Sequence, residues 1–231
     1  MQNKKIGLSN NVLKIIALVS MTIDHVGFML FPQVEFLRII GRLAMPIFAY
    51  MIAEGCFYTK NKLKHFLLIF ILGVLSQIVF FISNKSLEMS ILIVFSISIG
   101  LIYLYQLALD TKKWYYFALL IIAIGVSAWL NYGLPKLITK YRFSFDYGFF
   151  AMILPLLVYM FKEKWQKLIA LAVGLFPIAF FTPWLIQWFS YLALPILAFY
   201  NGEKGKLNIK YLFYVYYPLH LVVLYGISLI A

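Results

Sequence analysis

Apolar residues run through this chain in long unbroken stretches, not in alternation. Nine stretches stand out, at approximately 12–31, 38–57, 65–83, 89–109, 114–131, 146–161, 167–181, 183–200 and 211–230. A helix that spans a bilayer needs about 20 predominantly apolar residues, and a barrel strand only about half as many. Hydrocarbon offers backbone groups no partner, so spanning segments are helices or closed barrels. The length and continuity of the runs select helices. The pattern predicts an all-α, polytopic transmembrane helical bundle of about nine spans. Its least distinct boundary is Thr182–Pro183, where an eight-span chain or a re-entrant segment also fits.

Composition agrees with this pattern. The 231 residues are 64% hydrophobic and 12% charged, with a mean hydropathy of +0.92, too little polar surface for a soluble domain. A net charge of +12 would suit nucleic acid, but the basic residues are dispersed between the apolar runs, so no nucleic-acid partner is expected. With the N-terminus in the cytoplasm, fourteen basic residues fall on cytoplasmic segments and six on the other side or in span two. This is the bias that sets topology, and it predicts a multi-pass protein of the cytoplasmic (inner) membrane. Lys4 and Lys5 precede an apolar run as in a signal peptide. The run continues past Asp24–His25 without a small-residue cleavage pattern, so it reads as a retained first helix. Cys56 is the single cysteine, which excludes an intrachain disulfide. With only three scattered histidines, no metal site is expected. No repeat or linker interrupts residues 1–231, which read as one domain.

The candidate chemistry lies inside the first two spans, which carry Lys14, Asp24, His25, Arg38, Arg42 and Glu54. Each ionisable group deep in lipid costs about 2.5–3.5 kcal/mol on insertion scales, so such groups normally face a bundle interior or a wet cavity. Ten residues separate Lys14 from His25. Eleven helical steps leave them only about 20° apart around the axis and about 16.5 Å apart along it. They share a stripe with Leu18 and Met21, a geometry that suits a ligand with a phosphate-rich head and a long thin arm, such as coenzyme A. The plainer alternative for Lys14 is a snorkelling anchor, and for His25 a packing hydrogen bond. A neutral imidazole is a natural general base near pH 7. Asp24 points about 100° away from His25, so it is expected to pair with Arg42 or Arg38. Those arginines, four apart on one face, suit an anionic acceptor or an oxyanion; interfacial snorkelling is their alternative. Glu54 lies about 160° round from Arg38 and fits a structural ion pair or a donor-site role equally. In the last span Tyr216 and His220 are four apart on one face, with Pro218 between them and Tyr217 alongside. His65, after three lysines, reads as interfacial. Asp146 and Tyr147 open the sixth span, where an acid suits Arg38, Arg42 or the acceptor. There is no Walker loop, dinucleotide fingerprint, HExxH or Gly-x-Ser-x-Gly elbow.

Five blocks, LKIIALVSMTIDHVG, RIIGRLAMPIFAYMIAEG, FDYG, YNGEKG and FYVYYPLHL, together resemble the TraX family in order along almost the whole chain. That family is best known for acetylating the N-terminus of a conjugative pilin. Its fold is similar to that of the integral-membrane acyltransferases that modify cell-surface glycans. There a basic residue, ten intervening residues and a histidine in the first helix mark the acyl-transfer site, and Lys14 and His25 match it. Those proteins also carry two arginines separated by two residues; three separate Arg38 from Arg42 here, a departure from that pattern. The resemblance implies acetyl-CoA as donor and an extracytoplasmic acceptor, either a pilin or a surface glycan.

The expected activity is thus an integral-membrane acyltransferase. Lys14, Lys204 and Lys206 would hold donor phosphates, and His25 would act as base. Arg42 would stabilise the oxyanion, with Asp24 shaping the field and His220 and Tyr217 as further proton-transfer candidates. The rival is a non-enzymatic transporter or assembly factor for a surface structure, since midplane charges and broken helices also mark transport sites. Paired halves would favour transport, and the chain shows none.

Overall fold

The structure, a computed structural model, describes residues 6–205 and 210–230, without the side chains of residues 84 and 210–214. In chain order its elements are α1 (Asn10–Met29), α2 (Glu35–Gly41), α3 (Ala44–Tyr58), α4 (Lys62–Asn84), β1 (Leu87–Met89), α5 (Ile91–Thr111) and α6 (Trp114–Tyr132). They continue with α7 (Leu134–Leu137), β2 (Phe143–Phe145), α8 (Gly148–Tyr159), α9 (Lys164–Phe181), a 3-10 helix (Leu185–Leu192), α10 (Ala193–Ala198) and α11 (Lys210–Ser228). The expected all-α class is observed, with one three-residue strand pair in the connections.

Among the described residues, six helices are long and apolar enough to cross a membrane: Asn10–Met29, Glu35–Tyr58, Lys62–Ser83, Ile91–Thr111, Trp114–Tyr132 and Lys164–Phe181. Of the other three predicted stretches, two carry the shorter apolar helices Gly148–Tyr159 and Leu185–Ala198, and the third carries α11, whose segment with described side chains is Val215–Ser228. At about 1.5 Å per residue, the first of these extends about 18 Å, short of a hydrocarbon core about 30 Å thick. The second begins as a 3-10 helix, Leu185–Leu192, just after Thr182–Pro183. Side chains on α4, α6 and α9 such as Ile71, Ile121 and Val173 are more than half exposed, an outward apolar face of the kind that suits contact with lipid.

The helices group into two compact units, one of residues 1–51 and 163–231 and the other of residues 52–162, so that the division falls within α3. In the second unit α5 is central. It packs against α4, α6 and α8, and Val94, Phe95, Ile99 and Ile102 are at most 1% exposed. Ser98 Oγ–H reaches the Met152 carbonyl of α8 at 2.7 Å, a polar tie that membrane helices favour because hydrocarbon offers no alternative partner. β1 and β2 pair in parallel, with Leu87 opposite Phe143, and the exposed Arg142 Nε meets Glu88 Oε1 at 2.9 Å.

In the first unit α1 packs on α2 and α11, and the 3-10 helix packs on α9 and α2. The turn after α10 folds over the start of α1. Leu8 N–H donates to Phe199 O at 2.8 Å, and Asn201 N–H donates back to Leu8 O at 3.0 Å. The carbonyls of Glu203 and Lys204 accept from the amides of Asn10 and Asn11 at 2.8 and 3.2 Å. These are first-turn donors that the helix itself cannot satisfy. Gly205, at φ +88°, allows the approach, since a Cβ there would lie 2.7 Å from Ser9 Oγ. Gln187 and Ser190 on the 3-10 helix are also buried in this unit.

Candidate functional site

The second predicted span is interrupted where the candidate chemistry gathers. α2 ends at Gly41 and α3 begins at Ala44, with Arg42 and Leu43 in a turn between them. Pro46 lies in the first turn of α3, where its missing N–H costs nothing. Gly41 faces Asp24 of α1 so closely that any Cβ would collide with the carboxyl group. That contact lets a carboxylate on one helix reach two guanidinium groups on the other. Asp24 Oδ2 accepts from Arg38 Nη1 at 2.8 Å, and Asp24 Oδ1 from Arg42 Nη2 at 2.7 Å. Arg38 Nη1 also donates to the Asp24 carbonyl at 3.1 Å, and its guanidinium lies 5.2 Å from the centre of the Phe28 ring. Arg42 Nε donates to Arg38 O at 3.2 Å and Nη1 to Gln187 Oε1 at 3.1 Å. The sequence-based pairing of Asp24 with one arginine is thus observed with both.

One residue along α1 a second group forms. His25 Nδ1 lies 2.9 Å from His220 Nε2, and His220 Nδ1 lies 3.0 Å from the Tyr216 carbonyl. The carbonyl accepts only, so His220 Nδ1 carries a proton. A ring nitrogen pair at hydrogen-bond distance needs one donor and one acceptor. With both rings neutral, His220 Nε2 is the acceptor, His25 Nδ1 the donor, and the lone pair of His25 resides on Nε2. Thr22 Oγ1 donates to Leu18 O at 2.9 Å and so accepts from the Tyr216 hydroxyl at 2.7 Å, a second tie between α1 and α11. The Tyr216 ring stacks on His220, and the Tyr217 ring meets it edge-on at 5.5 Å.

The remaining predicted residues are placed as follows. Lys14 is half-buried on α1, one helical stripe from His25 through the buried Leu18 and Met21. Lys204 is exposed in the turn over the start of α1, and Lys206 lies outside the described residues. Glu54 (4% exposed), Asp146 and Tyr147 belong to the second unit. Asp146 N–H caps the strand pair by donating to Met89 O at 3.0 Å. His65, read as interfacial, is half-buried, with Nδ1 2.7 Å from the Tyr103 hydroxyl. Sequence reasoning missed Thr22 and Gln187. Gln187 stands out only as one of two non-aromatic polar residues, with Ser190, in the apolar stretch 183–200. Among the described residues no group of three or more histidine, cysteine or acidic side chains is arranged to hold a metal.

Residues 9–228 match the family described as TraX protein, which covers the α1–α2 cluster and the α11 histidine together. The chain belongs to the TraX family. Two curated relatives are similar to this TraX-family chain. One is an uncharacterized protein of Rickettsia prowazekii (strain Madrid E), 37% identical over 120 residues, which is 52% of this chain and 46% of that protein. This match therefore spans just under half the length of that relative. The other is named Probable fimbrial assembly protein FimC, serogroup H1, of Dichelobacter nodosus. It is 27% identical over 242 residues, covering 96% of each chain. No solved structure matches.

Proposed function

We propose that this TraX-family chain is an integral-membrane acyltransferase of the cytoplasmic membrane. In this reading it moves an acetyl group from cytoplasmic acetyl-CoA to an amine or hydroxyl of an extracytoplasmic acceptor. The reading rests on one observation above the others, the chain from the Tyr216 carbonyl through His220 to His25, which fixes the His25 tautomer with the proton on Nδ1 and the lone pair on Nε2. Acetyl-CoA, when bound, supplies the acetyl group as a thioester already activated for transfer.

The residues present fit such a donor. Because carbonyls of the 200–205 turn occupy the Asn10 and Asn11 amides, phosphate recognition falls to side chains rather than to the helix terminus. Lys14 and Lys204 supply the charge in this reading. The stripe through Leu18 and Met21 is apolar and leads toward His25, as a pantetheine arm requires. His25 Nε2 takes the proton of the acceptor amine or hydroxyl as it attacks, and later returns it to the departing sulfur. His220 keeps His25 in the reactive tautomer and accepts more strongly from Nδ1–H once the ring is charged, the part a carboxylate plays in a hydrolase triad. Asp24, Arg38 and Arg42 hold α1 against α2. With Asp24 bridging both arginines, they act here as positioning residues.

Replacing His25 by Ala is expected to abolish acetyl transfer while leaving membrane insertion and acetyl-CoA binding intact. Lys14→Ala is expected to weaken binding. Transfer retained by the His25 variant would remove this assignment. A second reading, a non-enzymatic pilus-assembly factor, draws on the name of the Dichelobacter nodosus relative. The same name supports a pilus subunit as the acceptor under the first reading. Well-folded protein that binds no acetyl-CoA would favour the assembly role.

A further inference from the structure

The 3-10 helix carries two polar side chains that their surroundings leave unsatisfied. Gln187 is 2% exposed and Ser190 is fully buried. Gln187 Oε1 accepts from Arg42, but Gln187 Nε2 and Ser190 Oγ have no hydrogen-bond partner among the described residues. Residues three apart eclipse in a 3-10 helix, so both project from one face. The other unsatisfied buried atoms among the described residues, Asn10 Oδ1, Gln77 Nε2 and Gln106 Oε1, stand singly on other elements. An unsatisfied buried donor is costly, and such a group in a folded chain calls for an explanation.

The pair has a definite chemical character. Arg42 engages the Gln187 oxygen, and the atom left unsatisfied is Nε2, which can only donate, while the Ser190 hydroxyl beside it has an O–H to give. A donor pair selects an oxygen acceptor. Arg42 connects Gln187 to Asp24, the neighbour of His25, so one guanidinium separates the donors from the segment that carries the base. We propose that Gln187 Nε2–H and Ser190 Oγ–H hold the carbonyl oxygen of the acyl group being transferred, an inference that rests on the acyltransferase reading. Two neutral donors aimed at that oxygen favour the charge that gathers there during attack, without a further buried charge.

The test uses the purified full-length protein in detergent with two probes: acetyl-CoA, and ethyl-CoA, a thioether without the carbonyl oxygen. Wild type is expected to bind acetyl-CoA about five- to tenfold more tightly. Ser190→Ala and Gln187→Glu should bring the ratio close to one while leaving ethyl-CoA affinity unchanged. The glutamate keeps the acceptor for Arg42 and loses the donor. Without ligand, Ser190→Ala should raise the melting temperature by about 2–4 °C, because it removes an unsatisfied group. A lowered melting temperature, or a ratio that persists in both variants, overturns the donor pair. Equal affinity of wild type for both probes also overturns it and leaves the acyltransferase reading standing. Binding of neither probe by folded protein overturns both.

Discussion

The α1–α2 cluster and the β1–β2 connection each join a carboxylate to a guanidinium at nearly the same distance. Asp24 meets Arg42 at 2.7 Å and Arg38 at 2.8 Å, and Glu88 meets Arg142 at 2.9 Å. Their surroundings differ. The side chains of Asp24, Arg38 and Arg42 are 14%, 16% and 10% exposed, whereas those of Arg142 and Glu88 are 82% and 39% exposed. Water screens the second pair and offers either partner a replacement. The first has no such alternative, so its value lies in what happens when one member is taken away. Bond length alone therefore says little about the importance of an ion pair in this molecule.

Asp24→Ala gives the sharpest test of that difference. It leaves two arginines in a buried site without their shared carboxylate. The expected loss is about 3–5 kcal/mol, read as a lowered melting temperature and reduced yield of folded protein in detergent. Gly41→Ala keeps every charge but places a methyl group against the Asp24 carboxyl, and is expected to cost about 1–3 kcal/mol by the same measurement. Glu88→Gln should cost less than about 1 kcal/mol, an effect that disappears in high salt. If the Asp24 and Glu88 variants proved equally mild, burial would not be what separates the two regions.

The sequence foreshadowed the two regions unequally. Helical spacing is enough to bring Asp24 toward Arg38 or Arg42, because both helices lie in one hairpin and opposite charges in apolar runs need each other. The same reasoning identified His25 and His220 as separate candidates. Their union depends on how α11 docks against α1, across nearly the whole chain, and no periodicity encodes that. The apolar runs located the helices but not their lengths. Composition distinguishes lipid from water, yet it does not register that α8 stops at Tyr159 or that the stretch after Pro183 winds as a 3-10 helix. Gln187 stayed hidden for a related reason, since a neutral amide among aromatic residues gives no charge signal.

The turn that ties residues 7–11 to residues 199–205 has a consequence for how the protein is made. Residues 8–11 leave the ribosome almost two hundred residues before their hydrogen-bond partners. The α11 histidine emerges later still. Until then α1 can enter the bilayer and pair with α2, while its first amides and His25 lack their final partners. This unit therefore closes only once α11 has been made, and a loss of the chain after α9 would leave inserted helices without the turn and without the histidine pair. A C-terminal truncation should thus yield membrane-embedded protein that the cell's quality control recognises as unfinished.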